Sequence, residues 1–273
     1  MEPPLPFPPL DPIAFALGPV VVRWYALGYL IGVLGGAAYA ASLLKNTALW
    51  AGARPPFPAP AIWDFAFWAM LGIVVGGRAG YVLFYNLPHY LAAPGEIFAL
   101  WDGGMSFHGG LIGIILAMLA FTRSHKGRLL SGLDLLGAVG TIGIFLVRIA
   151  NFINAELYGA PTTLPWGVIF PTDPLMTPRH PSQLYEAALE GLLLFLIIRL
   201  ATNRFGALKR PGFVAGLFGV GYGLGRIAVE FVRLPDPQVG YLAGGWLTLG
   251  MVLSLPMVAV GLWLMLRARR IAS

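Results

Sequence analysis

Seven stretches of mainly apolar residues, each about as long as a bilayer-spanning helix, constrain this chain more than any other feature. They are predicted at 19–43, 62–86, 105–122, 131–152, 182–200, 212–232 and 244–266. Only 11% of all residues are charged, whereas soluble domains carry about 25%. The sequence therefore predicts an all-α integral membrane protein of about seven transmembrane helices. It forms a single polytopic membrane domain over residues 1–273, with a short external segment at 153–181.

The basic residues indicate the orientation of these helices. Most of the 18 lysines and arginines fall in alternate connectors and in the C-terminal tail, while the opposite side holds Arg23, Arg179 and Arg233. Short cytoplasmic loops are enriched in Lys and Arg. We therefore expect the N-terminus outside and the C-terminus in the cytoplasm. The same bias accounts for the net charge of +6, and no basic run interleaved with aromatics points to a nucleic-acid partner.

Three further arginines, Arg78, Arg148 and Arg226, lie inside predicted helices near their outer ends. Even low estimates put the free-energy cost of an arginine at the centre of the bilayer at about 2.5–3.5 kcal/mol. Each of these arginines therefore requires an ion-pair partner, water or an anionic ligand.

The fourth predicted helix ends in the sequence RIANFINAELYG. On a helix, Arg148 and Asn151 share a face, which places a fixed cation beside an amide. This pair suits a phosphate or a carboxylate. The alternative is a polar helix end paired to its neighbours, with Glu156 and Gly159 marking the end of the helix.

The sixth predicted helix carries a polar stripe of Tyr222, Arg226, Glu230 and Arg233 on one face. Arg226 and Glu230 could neutralise each other as an ion pair within the membrane. Two arginines for one carboxylate nevertheless leave a positive charge, which favours an anion that arrives from outside.

Two glycine-rich segments carry further candidates. In WDGGMSFHGG, glycines bracket His108 at a predicted helix start, which indicates a binding or acid–base role. The alternative is a histidine that packs at the membrane interface with a hydrogen bond. In GGRAG, Arg78 is either an accessory cation or a partner in close helix packing. The segment PRHPSQLYE, which ends at Glu186, is interpreted as an ordinary helix start.

Several other kinds of chemistry are not indicated. The chain contains no cysteine, and its four histidines lack the spacing of metal ligands. A P-loop and a nucleophile elbow are both absent from the sequence. We expect neither a metal nor a cofactor.

Five segments in this order resemble bacterial prolipoprotein diacylglyceryl transferases: GGRAGYVLFYN, WDGGMSFHGGLIG, RIANFINAELYG, PRHPSQLYE and GYGLGRIAVEFVRLPD. The resemblance runs from Tyr25 to the last helix. It implies transfer of the diacylglyceryl group of phosphatidylglycerol to the lipobox cysteine thiol of a prolipoprotein, with release of glycerol phosphate. It also implies a multi-pass location in the bacterial cytoplasmic (inner) membrane.

The same resemblance assigns site residues by position. The family's essential arginines correspond to Arg148 and Arg226, and its histidine to His108, the candidate base. Its supporting positions correspond to Tyr25, Asn151, Glu156, Gly159, Tyr222, Glu230 and Arg233. The chain departs from the family pattern at Val147 and Ala150, where glycine is usual, and in a short external segment at 160–177.

Two other interpretations remain open on the residues alone. One is a transporter or flippase for an anionic lipid or solute, although no inverted repeat is apparent. The other is a structural membrane scaffold, which leaves the embedded cations unexplained.

Overall fold

The computed structural model describes residues 4–18, 20–100, 103–235 and 240–272, with only the backbone described at residues 20, 107, 108 and 270–272. Within those ranges the chain is mainly helical. The α-helices are α1 (Trp24–Lys45), α2 (Ile62–Phe84), α3 (Leu87–Ala92), α4 (Phe107–Ser124), α5 (Leu129–Ile153), α6 (Ser182–Glu186), α7 (Leu194–Phe205), α8 (Phe213–Glu230) and α9 (Leu249–Ala272). A π-helical segment, Ala187–Leu193, joins α6 directly to α7.

Each of the seven predicted apolar segments overlaps a helix, but the described residues contain five helices that are long and apolar enough to span a membrane. These five are Trp24–Lys45, Ala59–Phe84, Leu129–Ile153, Phe213–Glu230 and Leu249–Arg269, and a shorter apolar helix lies at Gly109–Ser124. The prediction of a helical membrane protein is therefore confirmed. The continuous stretch from α6 to α7 is less apolar because it carries Glu186, Glu190 and Arg199.

Short strands that the sequence did not predict occur outside the helices. They are β1 (Leu5–Pro6), β2 (Ile13–Leu17), β3 (Val20–Arg23), β4 (Val168–Ile169), β5 (Pro178–Arg179), β6 (Tyr241–Ala243) and β7 (Leu247–Thr248). The first predicted segment began too early, because its opening valines pair with β2 in an antiparallel hairpin. Consecutive β-branched residues favour a strand over a helix start. The last predicted segment also began too early, since β6 and β7 form a second hairpin there.

The chain divides into two compact units, Ala40–Leu133 and the combination of Met1–Tyr39 with Asp134–Ser273. In the smaller unit, α2 and α4 pack with their backbones in contact. A Cβ added to Gly72 would lie 2.7 Å from the carbonyl oxygen of Gly113, and one added to Gly76 would overlap the carbonyl oxygen of Gly109. This is the small-residue packing expected between membrane helices.

In the larger unit, α8 packs against α9 through Gly216 and Gly261. The start of α8 is held by the buried carboxylate of Asp134 on α5, which accepts hydrogen bonds from the backbone N–H groups of Gly212 (2.7 Å) and Ala215 (2.8 Å). A carboxylate at a helix N-terminus satisfies otherwise unpaired donors and complements the helix dipole. This contact fixes α8 relative to α5, and these two helices carry the polar residues described below.

The segment between α5 and α6 forms a small ordered layer. β1 pairs in parallel with β4, which pairs antiparallel with β5. Beneath this sheet, the fully buried Phe170 packs against Phe7, Phe152 and Tyr158.

Candidate active site

An unusually polar cluster lies between α5, α6 and α8 of the larger unit. Arg148 comes from α5, Glu186 from α6, Glu190 from the π-helical segment, and Arg226 and Glu230 from α8. Arg233 follows the end of α8. The six side chains of the cluster comprise three guanidiniums and three carboxylates. The carboxylates of Glu186 and Glu190 are fully buried.

The three arginines converge on Glu186. Arg226 donates a hydrogen bond from Nη1 to Glu186 Oε1, and Arg233 donates from Nη1 to the same oxygen at 2.9 Å. Arg148 Nε lies 3.3 Å from Glu186 Oε2. Charge-assisted hydrogen bonds of this kind are the strong ones in a low-dielectric interior. Glu186 therefore holds the three cations in one place.

The other two carboxylates are bound differently. Glu230 forms an ion pair with Nη2 of Arg226, one helical turn earlier on α8. Glu190 lies 3.8 Å from Nη2 of Arg148, and its two oxygens accept no hydrogen bond from any described residue. Three carboxylates face three guanidiniums. The expectation of a surplus positive charge, which rested on the sequence of α8 alone, was therefore wrong.

Arg148 is the least firmly held of the three arginines. Its two ion pairs are longer than those of Arg226 and Arg233, and its side chain is the most exposed of the three at 16%. It also interacts with the buried side chain of Tyr222, which lies one turn before Arg226 on α8. The structure thus brings Arg148, Tyr222, Arg226, Glu230 and Arg233 together.

A second polar cluster continues along α5. Asn151 donates from Nδ2 to Glu156 Oε1 at 2.8 Å, and Tyr25 on α1 lies within hydrogen-bonding range of Asn151 and of Tyr29. Gln183 on α6 donates to the backbone carbonyl of Glu156. This cluster therefore unites Tyr25, Asn151 and Glu156, all expected from the resemblance.

Three buried amide oxygens in this second cluster are unpartnered. Asn151 Oδ1, Gln183 Oε1 and Oδ1 of Asn154, whose amide also donates to Glu156, accept no hydrogen bond within the described part of the chain. Buried acceptors of this kind are costly unless a ligand or water supplies a donor.

Gly159 supports the site through the backbone. Its N–H donates to the carbonyl of His180 at 2.8 Å, and an added Cβ would overlap the carbonyl oxygen of Val232. Gly159 also forms a backbone bridge to Arg233. Only glycine has room at this close contact with the Val232 backbone. Gly159 therefore fixes the segment that carries Arg233.

Arg78, in the smaller unit, is buried and donates all of its N–H groups to backbone carbonyls. Nε donates to Ile97, Nη1 to Gly103 and Gly104, and Nη2 to Glu96 and Ala99, at 2.6–3.2 Å. Its guanidinium also lies 5.1 Å from the centre of the Tyr90 ring. Of the two roles that the sequence left open, this geometry favours packing, because no N–H remains for a ligand.

His108 lies in the first turn of α4, but its side chain falls outside the described residues. The helix start itself is well defined. Ser106 is the N-cap and accepts a hydrogen bond from the N–H of Gly109 at 3.2 Å. The proposed roles of His108 in binding and proton transfer stay predictions.

The segment between α5 and α6 carries its own ion pair beside the site. Asp173 accepts hydrogen bonds from Arg179 Nε at 2.7 Å and Nη2 at 2.9 Å. The Arg179 guanidinium holds the pKa of the Asp173 carboxyl well below its usual range, and burial lowers the pKa of His180. This segment therefore favours the charged form of Asp173 and the neutral form of His180.

Sequence reasoning missed the residues that organise the cluster. Glu186 was interpreted as part of an ordinary helix start, and Glu190 and Gln183 were not identified. A usable signal existed, because two carboxylates four residues apart in a predicted membrane helix are rare without a functional partner. Among the described residues, no group of three His, Cys, Asp or Glu side chains is arranged to hold a metal.

The fold and the buried cluster define a helical membrane protein with arginine and glutamate side chains packed together among its helices. The family model described as prolipoprotein diacylglyceryl transferase matches residues 12–267. The chain is 55% identical over 270 residues to the phosphatidylglycerol–prolipoprotein diacylglyceryl transferases of Brucella canis and Brucella ovis, covering 98% of this chain and 95% of each relative. The chain therefore belongs to the prolipoprotein diacylglyceryl transferase family and is a transferase.

Proposed function

We propose that this protein transfers the diacylglyceryl group of phosphatidylglycerol to the lipobox cysteine thiol of a prolipoprotein in the bacterial cytoplasmic membrane. The observation that carries the proposal is the convergence of Arg148, Arg226 and Arg233 on one buried carboxylate, in a chain of this family. Such a site can exchange carboxylate contacts for contacts with a phosphate. A thiol acceptor and a phospholipid donor both reach it from within the membrane.

The reaction forms one carbon–sulfur bond and breaks one carbon–oxygen bond. The cysteine thiolate attacks the carbon of the diacylglyceryl group that is bonded to the phosphate. The bond between this carbon and the phosphate oxygen breaks. Glycerol phosphate leaves with the electron pair, and the thiol proton passes to a base. Since a thiolate is the reactive nucleophile, loss of that proton precedes or accompanies attack.

Arg148 and Arg226 stabilise the charge that develops on the leaving phosphate. Fixed cations in a site with little water are worth most when charge develops in the transition state. Arg148 is suited to contact the phosphate first, because its present ion pairs are the longest of the cluster. The rest of the cluster is then held in place by Arg226, Arg233 and Glu230. Its surroundings are shaped by Tyr25, Asn151, Glu156, Gly159 and Tyr222.

Substitution of the two arginines tests this assignment. We expect Arg148→Ala and Arg226→Ala to lower the transfer rate about 100-fold or more, as loss of a transition-state donor does. The measurement is mass spectrometry of a lipobox peptide incubated with purified protein and phosphatidylglycerol. Arg148→Lys keeps the charge but loses the planar fork, so it should recover only part of the rate.

The exposed Arg204 at the end of α7 provides the matched control. Arg204→Ala should transfer at the wild-type rate, and thermal unfolding should show that all variants remain folded. Normal transfer by a folded Arg148→Ala or Arg226→Ala variant would refute the phosphate role.

His108 is the proposed base, and the same assay tests it across pH. His108→Gln cannot accept the proton, so the rate should fall and its pH dependence should change. A wild-type rate throughout would remove His108 from the mechanism.

The transporter or flippase alternative predicts movement of phospholipid without chemistry. The two functions separate in one experiment, because only the transferase adds a diacylglyceryl group to the peptide. Failure of the wild-type protein to modify the peptide in an active membrane environment would reject the transferase proposal.

A further inference from the structure

The arginine cluster is already balanced before an anion binds. Three guanidiniums face the carboxylates of Glu186, Glu190 and Glu230, so the formal charges cancel when all six groups are ionised. A phosphodiester headgroup adds one negative charge to this buried site. An uncompensated charge in a low-dielectric interior is expensive.

The three carboxylates are not equally able to absorb that change. Glu186 receives all three arginines, and Glu230 pairs with Arg226. Glu190 is fully buried, yet both of its oxygens lack a hydrogen-bond donor among the described residues. It is the carboxylate with the least to lose on becoming neutral.

The surroundings of Glu190 also limit its movement. A Cβ added to Gly225 of α8 would lie 3.2 Å from Glu190 Cγ, so α8 passes close to this side chain. The π-helical segment places Glu190 on the same side as Glu186, and such segments are frequent at functional sites. The charged and titratable groups that face it are Arg148 from α5, Glu186 from α6, Tyr222 and Arg226 from α8, and Arg233 beyond α8.

We infer that Glu190 takes up one proton when the anionic headgroup binds. This inference rests on the proposed function, since it concerns the binding of that same phospholipid. The proton restores charge balance, with three guanidiniums against two carboxylates and one phosphodiester. It also converts Glu190 from a carboxylate that accepts no hydrogen bond from the described residues into an O–H donor that can bond to a phosphate oxygen.

Calorimetry of lipid binding tests the inference. Short-chain phosphatidylglycerol is titrated into the full-length detergent-solubilised protein in two buffers of different ionisation enthalpy, which gives the number of protons taken up. Wild-type protein should take up close to one proton at high pH. Its affinity should then fall by up to about tenfold per pH unit as pH rises, because binding and protonation are linked.

Glu190→Gln replaces the protonated acid with a neutral amide of similar shape that still donates a hydrogen bond. This variant should bind without proton uptake and with an affinity that no longer depends on pH. Glu190→Met, which is neutral but lacks a donor, should also take up no proton and should bind more weakly. Glu96→Gln, at an exposed carboxylate in the smaller unit, is the control and should behave like the wild type.

Absence of proton uptake by the wild type would overturn the inference, and so would undiminished uptake by Glu190→Gln. A folded Glu190→Gln protein that fails to bind would overturn it as well. The peptide-transfer assay separates this result from the proposed function. Transfer without proton uptake rejects the role of Glu190 alone, whereas binding with proton uptake but no transfer rejects the transferase proposal.

Discussion

Arginines in apolar segments have two different roles in this molecule. Arg78 and Arg148 both lie near helix ends, and their sequence contexts look equally suited to an anion. Arg78 donates hydrogen bonds to five backbone carbonyls, whereas Arg148 forms two longer ion pairs with carboxylates. The residue type thus establishes that a partner exists, and the surrounding chain decides which partner it is.

Replacement of Arg78 should affect stability and leave headgroup affinity intact. Arg78→Ala leaves carbonyls between Glu96 and Gly104 without donors, and each unpaired buried group costs about 1–3 kcal/mol. We expect a lower unfolding temperature and faster proteolysis between Pro94 and Leu100, with unchanged lipid affinity in the folded fraction. Arg78→Lys should recover little, since three donors on one nitrogen cannot reproduce the fork. A large loss of lipid affinity in a protein of normal stability would contradict the packing role.

At the scale of elements, glycine determines how closely the helices approach. Gly72 and Gly76 on α2 face Gly109 and Gly113 on α4, where backbone meets backbone. From the sequence, the small residues around Arg78 on α2 were interpreted as suited to close helix packing. The glycines that bracket His108 were interpreted instead as favouring a binding role at the start of α4, which the described atoms do not test.

Alanine substitutions can separate packing glycines from incidental ones. Gly76→Ala puts a Cβ onto the backbone of α4, and overpacking of this kind costs about 1–3 kcal/mol. Gly35→Ala on α1 is the matched control, because an added Cβ there meets nothing within 4 Å. We expect Gly76→Ala to unfold at lower temperature and Gly35→Ala to be neutral or stabilising, as measured by thermal unfolding in detergent. Equal effects of the two substitutions would argue against the packing role.

At the scale of the whole molecule, the proposed topology has seven spans in one membrane domain, with the N-terminus outside. Five helices satisfy the requirement of length and apolarity. The two remaining segments, α4 and the stretch from α6 to α7, are shorter or more polar, and the latter contributes Glu186 and Glu190 to the buried cluster. A helix that supplies charged groups to a protein interior can span a membrane with less apolar surface.

Cysteine labelling tests this topology without background, because the chain contains no cysteine. Thr163 and Lys209 are both exposed and lie in connectors predicted on opposite sides of the membrane. Thr163→Cys should react with a membrane-impermeant maleimide in spheroplasts, whose cytoplasmic membrane is intact and accessible from outside. Lys209→Cys should react only after the membrane is opened. Labelling of both residues from outside would rule out the proposed orientation.

The sequence by itself determined the helical membrane architecture, the approximate positions of its helices and the family to which the chain belongs. These properties depend on segment length, apolarity and local motifs, all of which can be recognised without tertiary contacts. The stripe on α8 and the motif ending α5 are local patterns, so the sequence also predicted residues that the structure places in one cluster.

Only the tertiary structure decided the charge balance of the embedded arginines. Glu186 lies 40 residues before Arg226 and 47 before Arg233, and no periodicity within α8 can indicate that this carboxylate joins them. Packing of α5, α6 and α8 brings the three cations and three carboxylates together. Because ion pairing depends on distance in space, the apparent excess of positive charge disappeared once the helices were assembled.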